Sequence, residues 1–208
     1  MSQKSEIFDT HYHDYLDKIG RADHESVREI LAIESEGDIF QVPLMETLYR
    51  VSAEGIFNPE GKRPAYGICV ILAKYILNCP DTVHQDLQWV SFRDFRQTSH
   101  FTNVNYFASD TEQAITKHFS GRLADLEKAC EITGGIREET EMPYDLAVSF
   151  RILPRISQLL LFNDRDEEFP AQCKVLFHRH SEFYLDPESL AMTGAVLAKT
   201  LTAQTLKE

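Results

Sequence analysis

The most regular hydrophobic pattern in the chain lies within residues 145–185. Apolar and polar residues alternate over 146–152, which predicts a strand with one buried face. The run 156–162 is almost continuously apolar and therefore predicts a central strand that is covered on both faces. Residues 173–178 predict a third strand, and an acidic loop at 163–168 separates it from the second.

Apolar residues at helical spacing predict most of the remaining elements. They predict helices at residues 6–19, 23–33 and 66–79. Three more are predicted after residue 112, from residue 123 to Gly134, and after residue 186. The segment 66–79 is apolar on most sides, so we expect it to be the central core helix. Asp186 as N-cap and Pro187 at the first position mark the start of the last helix, in which Gly194 predicts close packing.

Two short β-like runs within residues 39–51 predict a hairpin that turns near residues 45–46. Pro43 has no amide hydrogen, so we expect the first of these strands to lie at the edge of its sheet. The acidic segment 34–38 predicts a turn. Residues 109–112 predict a capping box at the start of the helix that follows.

Strands in two blocks with helices between them indicate an α+β fold rather than a doubly wound parallel sheet. We expect one domain over residues 1–208, in which an N-terminal β-hairpin and C-terminal antiparallel strands pack around a central buried helix and a C-terminal helix. Within this domain, residues 1–37 are expected to form an N-terminal helical extension and 38–206 the core. A chain of 208 residues is long enough for one sizeable hydrophobic core.

Composition narrows the classes of partner. The formal net charge of -12 argues against nucleic acid and against an anionic membrane surface, because both need a basic protein surface. The polar start of the chain and the absence of a long apolar run predict a cytoplasmic protein that does not enter a membrane. The cysteines at 69, 79, 130 and 173 are scattered, so we do not expect this chain alone to hold an iron–sulfur cluster.

No common catalytic motif is present in the sequence. It contains no Walker loop, no Gly-x-Gly-x-x-Gly, no Gly-x-Ser-x-Gly and no His-Glu-x-x-His. The sequence therefore identifies no catalytic residue, and the candidate residues below are considered first as binding groups.

The first candidate is the acidic loop, which carries Asp164, Asp166, Glu167 and Glu168. Carboxylates two residues apart can bind a hard cation, contact a ligand or share a proton. However, the loop has too few oxygen donors for a calcium site, and Arg165 neutralises part of its charge. A solvated turn with local salt bridges is the simpler interpretation.

The second candidate is the segment 89–95, which contains Trp89, Ser91, Arg93 and Asp94. An arginine beside aromatic rings can hold a carboxylate or phosphate while the rings exclude water. The alternative is that Arg93 and Asp94 anchor a loop. If the fold has a ligand pocket, we expect it at this segment.

The third candidate is the pair His178 and His180. Residues two apart on a strand share a face, so both imidazoles would reach one metal ion. Two ligands do not complete a metal site, and the sequence does not indicate a third. Surface histidines are the alternative interpretation.

Several of these segments together resemble one family. They are Tyr49-Arg-Val51, the helix GICVILAKYIL, the segment WVSFRDF, and LPRISQLLLFNDRDEEFPAQCKVLF followed by YLDPESLAMTGAVL, and they span roughly residues 38–200. The resemblance is to an uncharacterised domain-of-unknown-function family of anaerobic bacteria and archaea. Some of its members are fused to an iron–sulfur domain of the corrinoid-protein type, whose clustered cysteines this chain lacks.

The resemblance implies a compact domain in anaerobic metabolism. We therefore expect a non-catalytic binding or accessory domain, acting on an organic cofactor or on an iron–sulfur or corrinoid partner protein. A corrinoid or tetrapyrrole would lie between the segment 89–95 and the central helix. Two alternatives remain: a hydrolase or transferase that uses the acidic-loop carboxylates, and a structural interaction subunit with an exposed apolar patch.

Overall fold

The computed structural model describes residues 3–95 and 103–205, with side chains from 8 and, after the gap, from 104 onward. It confirms the α+β fold class: two antiparallel sheets are combined with helices in one molecule. The helices are α1 (Gln3–Ile19), α2 (His24–Leu31), α3 (Tyr66–Leu77), α4 (Asn103–Phe107), α5 (Ala114–Phe119), α6 (Leu123–Ile132) and α7 (Pro187–Gln204).

The first sheet is a meander of four short strands in sequence order. They are β1 (Glu34–Glu36), β2 (Ile39–Leu44), β3 (Thr47–Ser52) and β4 (Gly55–Phe57). The hairpin between β2 and β3 turns where it was predicted, and Met45 occupies the left-handed region in that turn with φ 51°. Phe40 and Val42 on β2 and Val51 on β3 are fully buried, so one face of this sheet lies on the core.

Two expectations for this region are wrong. Pro43 does not mark an edge strand, because β1 pairs with the outer side of β2. That pairing ends at Gln41, opposite Glu34, so Pro43 lies beyond β1 and its missing amide hydrogen costs no bond to that strand. The acidic segment 34–38 is not one turn either, because its first three residues form β1 and only its last two turn the chain.

The second sheet has five strands in the order β5-β9-β8-β7-β6. They are β5 (Trp89–Ser91), β6 (Ile136–Arg137), β7 (Leu146–Leu153), β8 (Ile156–Asn163) and β9 (Gln172–His178). The prediction that the apolar run at 156–162 forms the central strand is confirmed. Its side chains are buried on both faces, since Leu160 and Phe162 join the main core while Leu159 and Leu161 form a small cluster on the opposite face.

One backbone hydrogen bond joins the two sheets. The amide N–H of Met45, in the β2–β3 turn, donates to the carbonyl oxygen of Ile152 on β7 at 2.8 Å. The hairpin of the first sheet is thereby held against the second sheet, and both contribute to a single hydrophobic core.

The helix α3 is buried on most sides, as its sequence predicts. Cys69, Ile71, Leu72, Ala73 and Tyr75 are fully buried, and the helix packs against α1 and α7. Tyr12, Leu16 and Ile19 from α1 and Leu31 from α2 belong to the same core. The proposed boundary between an extension and a core at residues 37 and 38 stays a prediction.

The predicted capping box at residues 109–112 is wrong. Ser109 and Glu112 lie in a π-helical turn, Ala108–Gln113, that continues α4 directly into α5. Ser109 bonds back to the carbonyl oxygen of Tyr106, while Glu112 accepts from the backbone N–H of Val175 on β9 at 3.2 Å. A helix-start motif therefore lies inside a helix, where a turn of wider radius directs the Glu112 carboxylate towards the sheet.

Arg155, in the turn between β7 and β8, connects four parts of the fold. Its guanidinium donates to the carbonyl oxygen of Ile30 at the end of α2 at 2.8 Å, and its backbone N–H donates to the hydroxyl of Tyr75 on α3 at 3.1 Å. Its own carbonyl oxygen lies 3.0 Å from Nε2 of His180. The Tyr75 hydroxyl in turn donates to the carbonyl oxygen of Leu31 at 3.0 Å. These bonds occupy carbonyl groups that the end of α2 would otherwise leave without a partner.

The last helix begins and packs as predicted. Asp186 caps its N-terminus by accepting from the N–H of Ser189 at 3.0 Å, and Pro187 follows as the first helical residue. Gly194 lies where α7 crosses the α4–α5 helix. No helix within residues 3–95 and 103–205 combines the length and the apolar content needed to cross a bilayer.

We predict that Gly194→Ala lowers the free energy of unfolding by about 1–3 kcal/mol, because overpacking at a close contact outweighs the gain in helix propensity. The new methyl group would lie 2.5 Å from the Phe107 ring and 2.6 Å from the Thr111 hydroxyl. Urea unfolding followed by circular dichroism measures the difference.

The matched control is Gly67→Ala on α3, where the new methyl group meets only the flexible end of Met192, at 3.2 Å. This variant should stay within about 1 kcal/mol of the wild type. Equal destabilisation of both variants would show that the contact at Gly194 is not the cause.

Candidate functional site

The surface between α3 and α7 contains a cleft with two connected halves, named here the α3–α7 cleft. Its apolar half has a volume of about 240 Å³. Its lining comprises Ala65, Gly67, Ile68, Ile71, Met192, Ala195, Val196 and Lys199. Apart from the lysine ammonium, these side chains carry no polar atoms other than the thioether sulfur of Met192. This half can therefore take an apolar group with little loss of protein hydration.

The polar half of the cleft has a volume of about 400 Å³ and lies under the β2–β3 hairpin. Ile68, Val196 and Lys199 line both halves, so the two volumes adjoin along these residues. The hairpin turn contributes Glu46, Thr47 and Tyr49, and the end of α7 contributes Thr200 and Gln204. Hydroxyl, carboxylate and amide groups thus surround one end of a mainly apolar channel.

The tertiary fold positions these groups through a few local features. The left-handed conformation of Met45 turns the chain sharply, which presents Glu46 and Thr47 to the cleft. Partial burial raises the pKa of the Tyr49 phenol, opposed by a hydrogen bond with Thr47. Tyr49 is therefore a neutral hydrogen-bond donor at physiological pH.

Two charged side chains line the cleft, Lys199 and Glu46. They form no salt bridge with each other, and neither has an ion-pair partner within the parts of the chain that the structure describes. Lys199 borders both halves, whereas Glu46 borders the polar half alone. The cleft therefore offers one unpaired cation at its centre and one unpaired anion at its polar end.

The sequence did not identify this cleft, although α7 carries a signal for it. The core stripe of α7 includes Leu190, Leu197 and Leu201, which are all fully buried. Met192, Val196 and Lys199 recur at helical spacing on another face and are only partly covered or exposed. A second apolar stripe ending in a lysine is the pattern that marks the cleft.

The segment 89–95 is placed away from the central helix. β5 pairs with β9, and the following residues, Phe92 and Phe95, pack against Phe107 and Phe177. The helix α3 packs against α1 and α7 instead. The segment 89–95 and α3 thus pack mainly on different elements, and a cofactor between them stays a prediction.

The polar residues of that segment are used locally or exposed. The Asp94 carboxylate accepts from the backbone N–H of Ser91 at 3.0 Å and shapes a short 3-10 turn. Arg93 is exposed and has no hydrogen-bond or ion-pair partner among the described residues. Trp89 stacks on His178 with ring centroids 3.9 Å apart. A role of these residues in ligand binding stays a prediction.

The acidic loop is shaped by its own carboxylates. Asp164 accepts from the backbone N–H of Gly121 at 2.6 Å and so joins the loop to the turn before α6. Asp166 accepts from the N–H groups of Glu168 and Phe169, which lower its pKa. Glu167 is exposed. These contacts match a structural loop, and they place no acid beside Arg93 or His180.

The two histidines do not lie on one regular strand, but their rings stay close, with centroids 5.3 Å apart, and a shared metal ion stays a prediction. His178 ends β9, whereas His180 lies in a 3-10 turn, Arg179–Phe183, that breaks the strand geometry. Nε2 of His180 lies 3.0 Å from the carbonyl oxygen of Arg155. Its Nδ1 lies 2.8 Å from the carbonyl oxygen and 3.2 Å from the backbone nitrogen of Asp86. Both nitrogens of His180 are thus within hydrogen-bond distance of backbone groups.

No group of three or more histidine, cysteine, aspartate or glutamate side chains with metal-binding geometry occurs in the described part of the chain. Burial raises the pKa of all four cysteine thiols, to about 11 for Cys79 and about 12 for Cys130. The cysteines are therefore protonated and weakly nucleophilic near neutral pH.

We predict that native protein at pH 7.5 reacts with iodoacetamide only slowly, and first at Cys79. Cys79 is half-buried, whereas the other three thiols are buried. Mass spectrometry of tryptic peptides measures the order of modification, and protein unfolded in urea is the control in which all four react. Fast modification of Cys69, Cys130 or Cys173 in the folded protein would contradict the assignment.

We also predict that stability falls as the pH drops below about 6.5, the usual pKa of an unfolded histidine. Burial first, and then the nearby His180, lower the pKa of His178 in the folded protein. The unfolded chain therefore binds more protons in this range, so stability rises with pH. His178→Gln should reduce this slope in urea unfolding between pH 5 and 7.5.

The control for the slope is His11→Gln at an exposed position on α1, which should leave the pH dependence unchanged. If His178→Gln keeps the wild-type slope, another group is responsible for the acid sensitivity.

The sequence was compared with protein families, curated proteins and solved structures, and one family matches the part of the chain that forms most of the cleft. No curated protein and no solved structure matches the chain. The family described as "Domain of unknown function (DUF3786)" matches residues 23–200. That range includes α2, both sheets, α3 and most of α7, and therefore both walls of the cleft. The chain belongs to the DUF3786 family, a domain of unknown function.

Proposed function

We propose that the protein is a non-catalytic binding domain whose α3–α7 cleft receives a small organic molecule. The observation that supports the proposal is that an apolar half of about 240 Å³ adjoins a polar half of about 400 Å³, with Ile68, Val196 and Lys199 lining both. Small-molecule sites typically measure about 300–1,000 Å³ and combine apolar walls with a few polar groups. The α3–α7 cleft has this size and composition.

The lining supports binding rather than catalysis. Its titratable side chains are Glu46, Tyr49 and Lys199, and none of them is hydrogen-bonded to another within the described residues. A nucleophile is activated by a base within hydrogen-bond reach, and a general acid or base usually has a pKa shifted towards neutrality. Asp164 and Asp166, two of the acidic-loop carboxylates that would serve a hydrolase or transferase, accept backbone hydrogen bonds instead.

We propose further that the protein works in the cytoplasm in anaerobic metabolism, together with an iron–sulfur or corrinoid partner protein. The resemblance to family members fused to an iron–sulfur domain supports this setting. The net charge of -12 favours a partner with a basic surface over nucleic acid. A corrinoid or a tetrapyrrole is the alternative to a colourless organic molecule as the ligand, and absorbance of protein purified from its native host distinguishes the two.

We predict that Nile red, a neutral apolar dye, binds the wild-type protein with increased fluorescence. Ala195→Trp should weaken this binding about tenfold or more, because the indole fills the apolar half of the cleft. Fluorescence titration measures the affinity, and circular dichroism checks that the variant is folded.

Ala124→Trp, on the exposed side of α6 and outside the α3–α7 cleft, is the matched control and should bind the dye as the wild type does. Equal dye binding by all three proteins would contradict the proposal. If the wild type binds no dye while Ala195→Trp breaks up an oligomer, the face is an interaction surface, as expected for a structural subunit.

A further inference from the structure

We infer that the molecule bound in the α3–α7 cleft is a monoanionic amphiphile, an unbranched aliphatic carboxylate whose head contacts Lys199. The inference rests on the proposed function and specifies the class of ligand. Its basis is the position of one unpaired lysine between an apolar channel and a polar end that contains a carboxylate.

The charge of the ligand follows from Lys199. It is the one cationic side chain in the lining of either half, and no ion pair or hydrogen bond of its ammonium group occurs among the described residues. Acidic residues outnumber basic ones by 33 to 21 in the chain, yet none of the described acids pairs with this lysine. The ammonium is therefore available to an anion that enters the cleft.

The shape of the ligand follows from the apolar half. Met192, Val196 and Lys199 follow one another along α7, and the seven steps from residue 192 to residue 199 span about 10 Å of helix. The opposite wall is formed by Gly67, Ile68 and Ile71 of α3. When the carboxylate of the ligand contacts Lys199, its alkyl tail can lie along this channel, which is about as long as the chain of decanoate.

Gly67 keeps this channel open. A methyl group at this position would approach the end of Met192 to 3.2 Å, so even alanine would narrow the space between α3 and α7. The glycine has no left-handed conformation to explain it, because it lies in the first turn of a regular helix. We attribute the glycine at this position to the space between α3 and α7, which a side chain on residue 67 would reduce.

The number of charges follows from Glu46. This carboxylate lines the polar half and has no cationic partner among the described residues, so it repels a second anionic group there. At the other end, the side chains of Ala65 and Met192 supply no charge that would pair with a second carboxylate. The neutral phenol of Tyr49 can donate to the head group, whereas the hydroxyl of Thr200 already donates to the carbonyl oxygen of Val196 at 2.8 Å. The cleft therefore favours a monocarboxylate over a dicarboxylate.

Isothermal titration calorimetry of the whole chain with decanoate, decanol and decanedioate tests the inference. We expect decanoate to bind most tightly. Lys199→Met should weaken decanoate binding about three- to tenfold while leaving decanol binding unchanged, and Lys199→Arg should restore the preference. Lys117→Met, at an exposed position on α5, removes the same charge outside the cleft and should change nothing.

The outcomes separate the inference from the function on which it rests. The inference is overturned if decanol binds as tightly as decanoate, or if Lys199→Met has no effect on decanoate binding. If Ala195→Trp still weakens dye binding in that case, the cleft binds a neutral molecule and the proposed function stands. Tighter binding of decanedioate than of decanoate overturns the single-charge assignment. If none of these molecules nor Nile red binds the wild type, the proposed binding function itself fails.

Discussion

The fold depends on a set of hydrogen bonds centred on Arg155. This residue turns the chain between β7 and β8, and its guanidinium satisfies the carbonyl groups at the end of α2. Its backbone N–H meets the buried hydroxyl of Tyr75, which in turn donates to Leu31. Removing either partner would leave buried polar groups unsatisfied, which costs about 1–3 kcal/mol for each group. Two helices, the β7–β8 hairpin and the 3-10 turn at His180 are thereby held in one arrangement.

The same arrangement creates the cleft. Tyr75 holds the C-terminal end of α3 on the core, while Gly67 and Ile68 line the cleft near the N-terminal end of the same helix. The helix α7 is itself held by the cap at Asp186 and by the close contact at Gly194. Both walls are helices that pack on the core, so the space between them is present without a bound ligand. A preformed site loses less conformational entropy when its ligand binds.

Most of the candidate residues that the sequence indicated make contacts that stabilise loops and turns of the fold. Asp94, Asp164 and Asp166 accept backbone hydrogen bonds within or between loops, and His180 is bonded at both ring nitrogens. Polar side chains in loops commonly replace missing backbone partners, which makes them conspicuous in sequence without any ligand. The residues that line the cleft, such as Ile68 and Val196, resemble ordinary core residues instead.

Local patterns were enough for most of the fold. Alternation over 146–152 and the apolar run at 156–162 identified two neighbouring strands. Asp186 and Pro187 identified the start of α7. These predictions succeeded because strand periodicity and helix capping act within a few residues. The errors at Pro43 and at residues 109–112 arose where a neighbouring strand or a continuing helix overrode the local signal. The cleft was decided by tertiary structure alone. Tyr49 and Lys199 lie far apart in the sequence, and only the packing of α3 and α7 beneath the β2–β3 hairpin brings them to one surface.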